Sequence, residues 1–109
     1  MTYSQSLADR IRSVLGARKG VVEKQMFGGV GYLLNGNMLV GVWKTSLIAR
    51  IGPERYAAAL QQPHVREFDI TGRPMKGWVL IEAEGVDDDV PLREWIERAI
   101  QFVAKLPAK

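Results

Sequence analysis

The sequence predicts an α+β domain: an antiparallel, curved sheet of about six strands, with a helix at each end of the chain and one short helix in the middle. Three observations lead there. Apolar residues recur at helical spacing near both termini. Between Val22 and Ile51 the period changes to strand alternation, punctuated by turn residues. A short helical stripe then separates those strands from two more. Runs of strands between helices, without strict alternation, indicate an antiparallel sheet.

The first helix is expected over about Tyr3 to Ala17. Leu7, Ile11, Val14 and Leu15 fall on one face, while Asp9, Arg10 and Arg12 take the others. Thr2 or Ser4 is placed to cap its start, and Gly16 and Gly20 bracket its end. Strands follow over Glu23–Phe27, Val30–Leu34, Met38–Trp43 and Ser46–Ile51. Gly28-Gly29 ends the first. Asn35-Gly36 joins the next pair, since both residues accept the positive φ of a type I′ turn. Lys44-Thr45 reads as another tight turn. In the fourth strand Leu47, Ala49 and Ile51 share one side, with Ile48 and Arg50 on the other.

Gly52-Pro53 opens a short helix with Tyr56, Ala57 and Leu60 as its stripe, and Pro63 stops it. Val65–Ile70 is a weaker strand, and Thr71-Gly72-Arg73-Pro74 a loop. Gly77–Ala83 is apolar on both faces and so is expected inside the sheet. Asp87-Asp88-Asp89 and Pro91 start the last helix, whose stripe is Leu92, Trp95, Ile96, Ala99, Phe102, Val103 and Leu106, up to Pro107.

Bulk composition narrows the class. A chain of 109 residues makes a single domain, 1–109, and 47% hydrophobic with 25% charged residues is ordinary for a folded one. No cysteine is present, which excludes a disulfide scaffold, thiolate metal sites and a cysteine nucleophile. The N-terminus lacks the apolar core of a signal peptide, and no apolar run is long enough to span a bilayer. A cytoplasmic location without membrane attachment is therefore expected. The net charge of +3 comes from 15 basic and 12 acidic residues dispersed along the chain, which argues against nucleic acid as a partner for this domain alone.

Chemistry-bearing patterns are few. Gly28-Gly29-Val30-Gly31 fits neither dinucleotide nor P-loop spacing and lies between two strands, so it reads as a turn or bulge. His64, the only histidine, sits in a Gln-Gln-Pro-His turn with no neighbouring ligand or base partner, and reads as solvent-facing. The Asp87–Asp89 run reads as helix capping; adjacent carboxylates do not converge on one ion. Glu82 and Glu84, two apart on an expected strand, share a face; this could serve an acid–base pair but reads as a solvated strand end.

The best binding constellation is Arg50, Arg73 and Lys76 with Trp43 and Trp78. An exposed Arg73-Pro74-Met75-Lys76 loop would set positive charge beside apolar contact, suited to an acidic protein surface or a nucleic acid. The opposing reading buries both tryptophans in the core. The stripe containing Trp95 and Phe102 reads as core, and could double as a homodimer face.

Lys24-Gln25-Met26-Phe27-Gly28-Gly29, then Tyr32 and the hairpin Asn35-Gly36-Asn37-Met38, resemble the TfoX N-terminal domain family. So do Arg50-Ile51-Gly52-Pro53, the segment Thr71-Gly72-Arg73-Pro74-Met75-Lys76-Gly77-Trp78-Val79 and the closing helix with Trp95. The resemblance runs over nearly the whole chain. It implies a sheet packed by helices, as in type III secretion chaperones, and a link to regulators of natural competence that act through a transcription activator. The family's best-known members continue into a helical C-terminal domain; this chain reads as a single-domain member without one.

The function expected is a non-catalytic regulatory or protein-interaction module, with a transcription regulator or a second copy as partner and neither cofactor nor metal. The alternatives are a small-ligand-binding domain with an apolar pocket under the curled sheet, and, further off, a nucleic-acid binder using the Arg73 loop and the first helix. An enzyme ranks last.

Overall fold

The computed structural model describes residues 3–16, 18–26, 28–69 and 75–108, leaving out the side chain of Met26. Helix α1 spans Gln5–Leu15. Ser4 caps it: its hydroxyl accepts from the Leu7 N–H, one of the donors a helix start leaves unpaired. Leu7, Ala8, Ile11 and Leu15 are its buried face. Strands β1 (Val21–Met26), β2 (Gly29–Leu34), β3 (Asn37–Trp43) and β4 (Ser46–Arg50) then form the expected antiparallel meander. At the β2–β3 turn Asn35 has φ 54° and Gly36 φ 86°, the pair of left-handed residues that a type I′ turn requires.

Helix α2 (Pro53–Leu60) carries the chain to β5 (Val65–Glu67) and β6 (Trp78–Ile81). The sheet order is β1-β2-β3-β4-β6-β5, with every neighbouring pair antiparallel. β6 therefore lies inside the sheet, between β4 and β5, as its doubly apolar sequence requires. A 3₁₀ turn over Ala83–Gly85 leads to α3 (Asp89–Val103).

Several expectations change; α1 is shorter at both ends, and β1 begins at Val21 instead of Glu23. β5 stops at Glu67 instead of Ile70. α3 stops at Val103 instead of Leu106. Glu82 and Glu84 do not share a strand: β6 ends at Ile81, the Glu82 N–H donates to the His64 carbonyl at 2.8 Å, and Glu84 lies in the 3₁₀ turn. The pairing of β6 with both neighbours runs out at Ile81, so the apolar run overstates the strand by two residues.

The two faces of the sheet differ. Leu47, Ala49 and Ile51 join Val40, Val42, Val79 and Ile81 in the main core. The buried stripes of α1 and α3, with Ala59 of α2, close over this face, and Trp95 is part of it. On the other face Ile48, Phe68 and Leu80 form a smaller cluster, on which Trp43, Met75 and Trp78 pack. Among the described residues no helix covers this second face.

Candidate functional site

The open face is built by strand parity. Opposed residues of adjacent strands point to the same side of a sheet. Register therefore strings Lys24, Gly31, Gly41, Ile48, Leu80 and Arg66 into one row across all six strands. One row along, Val22, Leu33 and Met38 stand side by side on β1, β2 and β3. At the far end Arg50 of β4 opposes Trp78 of β6.

Arg50 and Trp78, two of the residues singled out from sequence, meet here. The Arg50 guanidinium lies 5.3 Å from the Trp78 ring centroid and 5.7 Å from that of Phe102 on α3. At the opposite corner the Lys44 ammonium stands 4.7 Å over Trp43. Such contacts hold a flexible cation against an aromatic surface. Phe68 and Trp78 pack with their centroids 6.2 Å apart. Trp43 and Trp78 are both half-buried, so neither is a full core residue; they wall the smaller cluster.

Met75 is half-buried on that cluster as well, so it does not project into solvent. Its N–H donates to the Phe68 carbonyl at 3.1 Å, which closes the base of the connection between β5 and β6. Lys76 is exposed beside it. Arg73 and Pro74, and Phe27 of the first family motif, lie outside the described residues.

The remaining motif residues are structural. Gly77 has φ 94° and its carbonyl accepts from both Ile51 and Gly52 N–H groups, at 2.9 and 3.1 Å. A Cβ on Gly77 would press on the Gly52 backbone at 3.3 Å. Two motifs far apart in sequence are therefore one contact. Gly28 takes φ 75° in the β1–β2 turn, and a Cβ on Gly29 would collide with the Val42 carbonyl of β3. Gly28-Gly29 thus acts as a turn with a close strand approach. Met26 ends β1 opposite Gly29.

The other candidates behave as caps and ties. The Asp88 carboxylate accepts from the Val90 N–H at 3.3 Å, and Asp89 receives Arg10 of α1 at 3.0 Å. No group of three or more His, Cys, Asp or Glu side chains capable of holding a metal ion occurs among the described residues. His64 is exposed, in a turn with φ 66°. Glu82 lies 3.5 Å from Arg66 across the open face.

A separate network pins α1 to the sheet. Arg12 donates to both carboxylate oxygens of Glu23, at 2.6 and 2.8 Å, and to Asp9 at 2.6 Å. The Tyr32 hydroxyl, opposite Glu23 in the register, donates to the Ala8 carbonyl at 3.2 Å. The hydrogen bond from Arg12 holds the Glu23 carboxyl below its usual range. Burial, reinforced by the Glu23 charge, pushes the Tyr32 phenol up.

The profile of the TfoX N-terminal domain matches residues 13–103. The chain belongs to that family. Searches of curated proteins and of solved structures give no significant match. The match begins within α1 and ends with α3, so it takes in every strand and all the motif residues. The motif glycines and Asn35 are explained by turns and close approaches, whereas Arg50 and Trp78 meet at the rim of the smaller cluster, with Phe102 of α3 beside Arg50.

Sequence reasoning missed Lys24, Lys44 and the Val22–Leu33–Met38 row. The pattern of each strand is local, whereas a face shared by β1, β2 and β3 follows only from the register between them. Counting outward from the Asn35-Gly36 turn puts Leu33 and Met38 on one face.

Proposed function

We propose that this domain is a non-catalytic, cytoplasmic regulatory module that binds a protein partner through its helix-free sheet face. One observation carries the reading: Arg50, Lys76, Met75, Trp78 and Trp43 lie on or beside one face, as half-buried aromatic and thioether surface flanked by cations. Interfaces favour this composition, with aromatic, Met and Arg anchors and little carboxylate. The family's link to transcriptional regulation supports a transcription regulator as the partner.

Among the described residues the small-ligand reading has less support. A cleft of about 220 Å³ opens between the start of α2 and the last turn of α3, lined by Ile51, Pro53, Arg55, Phe102 and Lys105. Another of about 260 Å³ lies between α1 and α3. Both fall short of the roughly 300–1,000 Å³ usual for small-molecule sites.

The test is native mass spectrometry of tagged protein purified gently from its own host, beside a Lys76→Glu/Arg50→Glu variant. The expected result is a co-purifying protein that the variant loses. A chain that retains only a small mass, equally in both samples, would replace this reading with the ligand one.

A further inference from the structure

Resting on that interaction reading, we infer that the partner presents an acidic segment interspersed with aliphatic or aromatic side chains, and that this segment lies across the β1–β3 half of the open face. Charge is the first argument. Lys24, Lys44, Arg50 and Arg66 stand on this face, with Lys76 at its rim. Against them stand Glu82, engaged with Arg66, and Asp69 at the rim beyond Phe68. Asp9, Glu23 and Asp89 are spent on the helix side, in ion pairs with Arg10 and Arg12. Among the described residues this face thus sets these five cations against two carboxylates, so it attracts carboxylates and repels basic partners.

Apolar surface is the second argument. Val22 is 59% exposed, one of the few large apolar side chains so open. It adjoins half-buried Leu33 and Met38, and none of the three joins either core cluster. Lys24 stands two residues along β1 from Val22 and points to the same side, roughly 7 Å away. An extended segment alternating carboxylates with apolar side chains meets both at once. Gly31 and Gly41 put no side chain between that apolar row and Trp43, so the track is low.

A single-stranded nucleic acid fits less well. Base stacking needs a free aromatic face. Here Trp43 and Trp78 each carry a cation and pack on the Ile48 cluster. Glu82 and Asp69 would also face the phosphates.

The experiment is a titration of the ¹⁵N-labelled whole chain, followed by amide and indole NMR shifts. The probe is a synthetic peptide alternating Glu with Leu and Phe. The controls are the same peptide with Lys for Glu, and an oligothymidylate. The expected shifts map to β1–β3 and the Trp43 indole for the acidic peptide alone, and they weaken with salt. Lys24→Glu with Lys44→Glu lowers affinity about tenfold or more, since two exposed attractions become repulsions. Val22→Ser lowers it about threefold, which a purely electrostatic attraction would not show. Spectral dispersion reports that each variant is folded.

Absence of peptide binding, shifts confined to the helix side, insensitivity to Val22→Ser, or preference for the oligothymidylate would each overturn the inference. The interaction reading fails separately. It survives any of those results if the host partner still co-purifies and is lost on Lys76→Glu/Arg50→Glu, and it falls if no partner co-purifies at all.

Discussion

Gly52 precedes α2 with φ 90°, and a Cβ there would sit 2.5 Å from the Phe102 ring. Alanine at this position meets a disfavoured backbone region and a packed aromatic together. Gly52→Ala should cost about 2–4 kcal/mol by urea denaturation. Adding Phe102→Ala should relieve the collision while leaving the backbone penalty of about 1 kcal/mol, so the two losses will not add. Additive losses would mean that the ring is not the obstacle. Lys44 is the converse case, a bulky residue held at φ 57° in the β3–β4 turn. Lys44→Gly should raise stability by about 0.5–1 kcal/mol while weakening acidic-peptide binding, the signature of strain kept for a surface role. A loss on both measures would make Lys44 structural. Not all of this is visible in sequence. Asn35-Gly36 announces its turn because both residues are local choices. The Gly52–Gly77 contact is invisible there, since it joins the turn after β4 to the turn before β6.

Among the elements, α3 shows a sequence signal and its physics in agreement. Its run of three aspartates divides the work: Asp88 caps, Asp89 ties α3 to α1, and neither gathers other acids. Asp88→Ala should lower stability by about 1 kcal/mol. Asp89→Ala, with its side chain largely exposed, should cost less than about 1 kcal/mol. Equal losses in thermal unfolding would show the cap to be no more than a surface charge. β1 is an edge strand, and its central Glu23 and Lys24 guard it against pairing with another chain. The strands were legible as existing elements, but their ends were not. β6 reads as apolar to Ala83 and yet stops at Ile81, because pairing with β4 and β5 sets its length. β5 is cut to Val65–Glu67 for the same reason. Face assignment was legible only within a strand, as for Leu47 and Ala49 against Ile48; across strands it needs the register.

For the whole molecule, the Arg12–Glu23–Tyr32 network makes stability depend on pH from both ends. The Glu23 carboxyl is held below its unfolded value near 4.5 by the hydrogen bond from Arg12, so the unfolded chain binds the proton more readily. The stability this contributes is complete above that value and is lost as pH falls through the lower, folded one. The Tyr32 phenol is raised above its unfolded value near 10 by burial. Its contribution is complete below that value and is lost as pH rises past it. Tyr56 is raised too, again mainly by burial, and shares the alkaline limb. Melting temperature should therefore be level between about pH 5 and pH 9 and fall on either side, as far as this network controls it. Glu23→Gln should flatten the acid limb and leave the alkaline one sloping. Tyr32→Phe should flatten part of the alkaline limb, the rest remaining with Tyr56. Neither substitution touches the open face, so acidic-peptide affinity at neutral pH should stay within about twofold of the parent. If Glu23→Gln leaves the acid limb as steep as before, the Arg12–Glu23 contact is not what sets it.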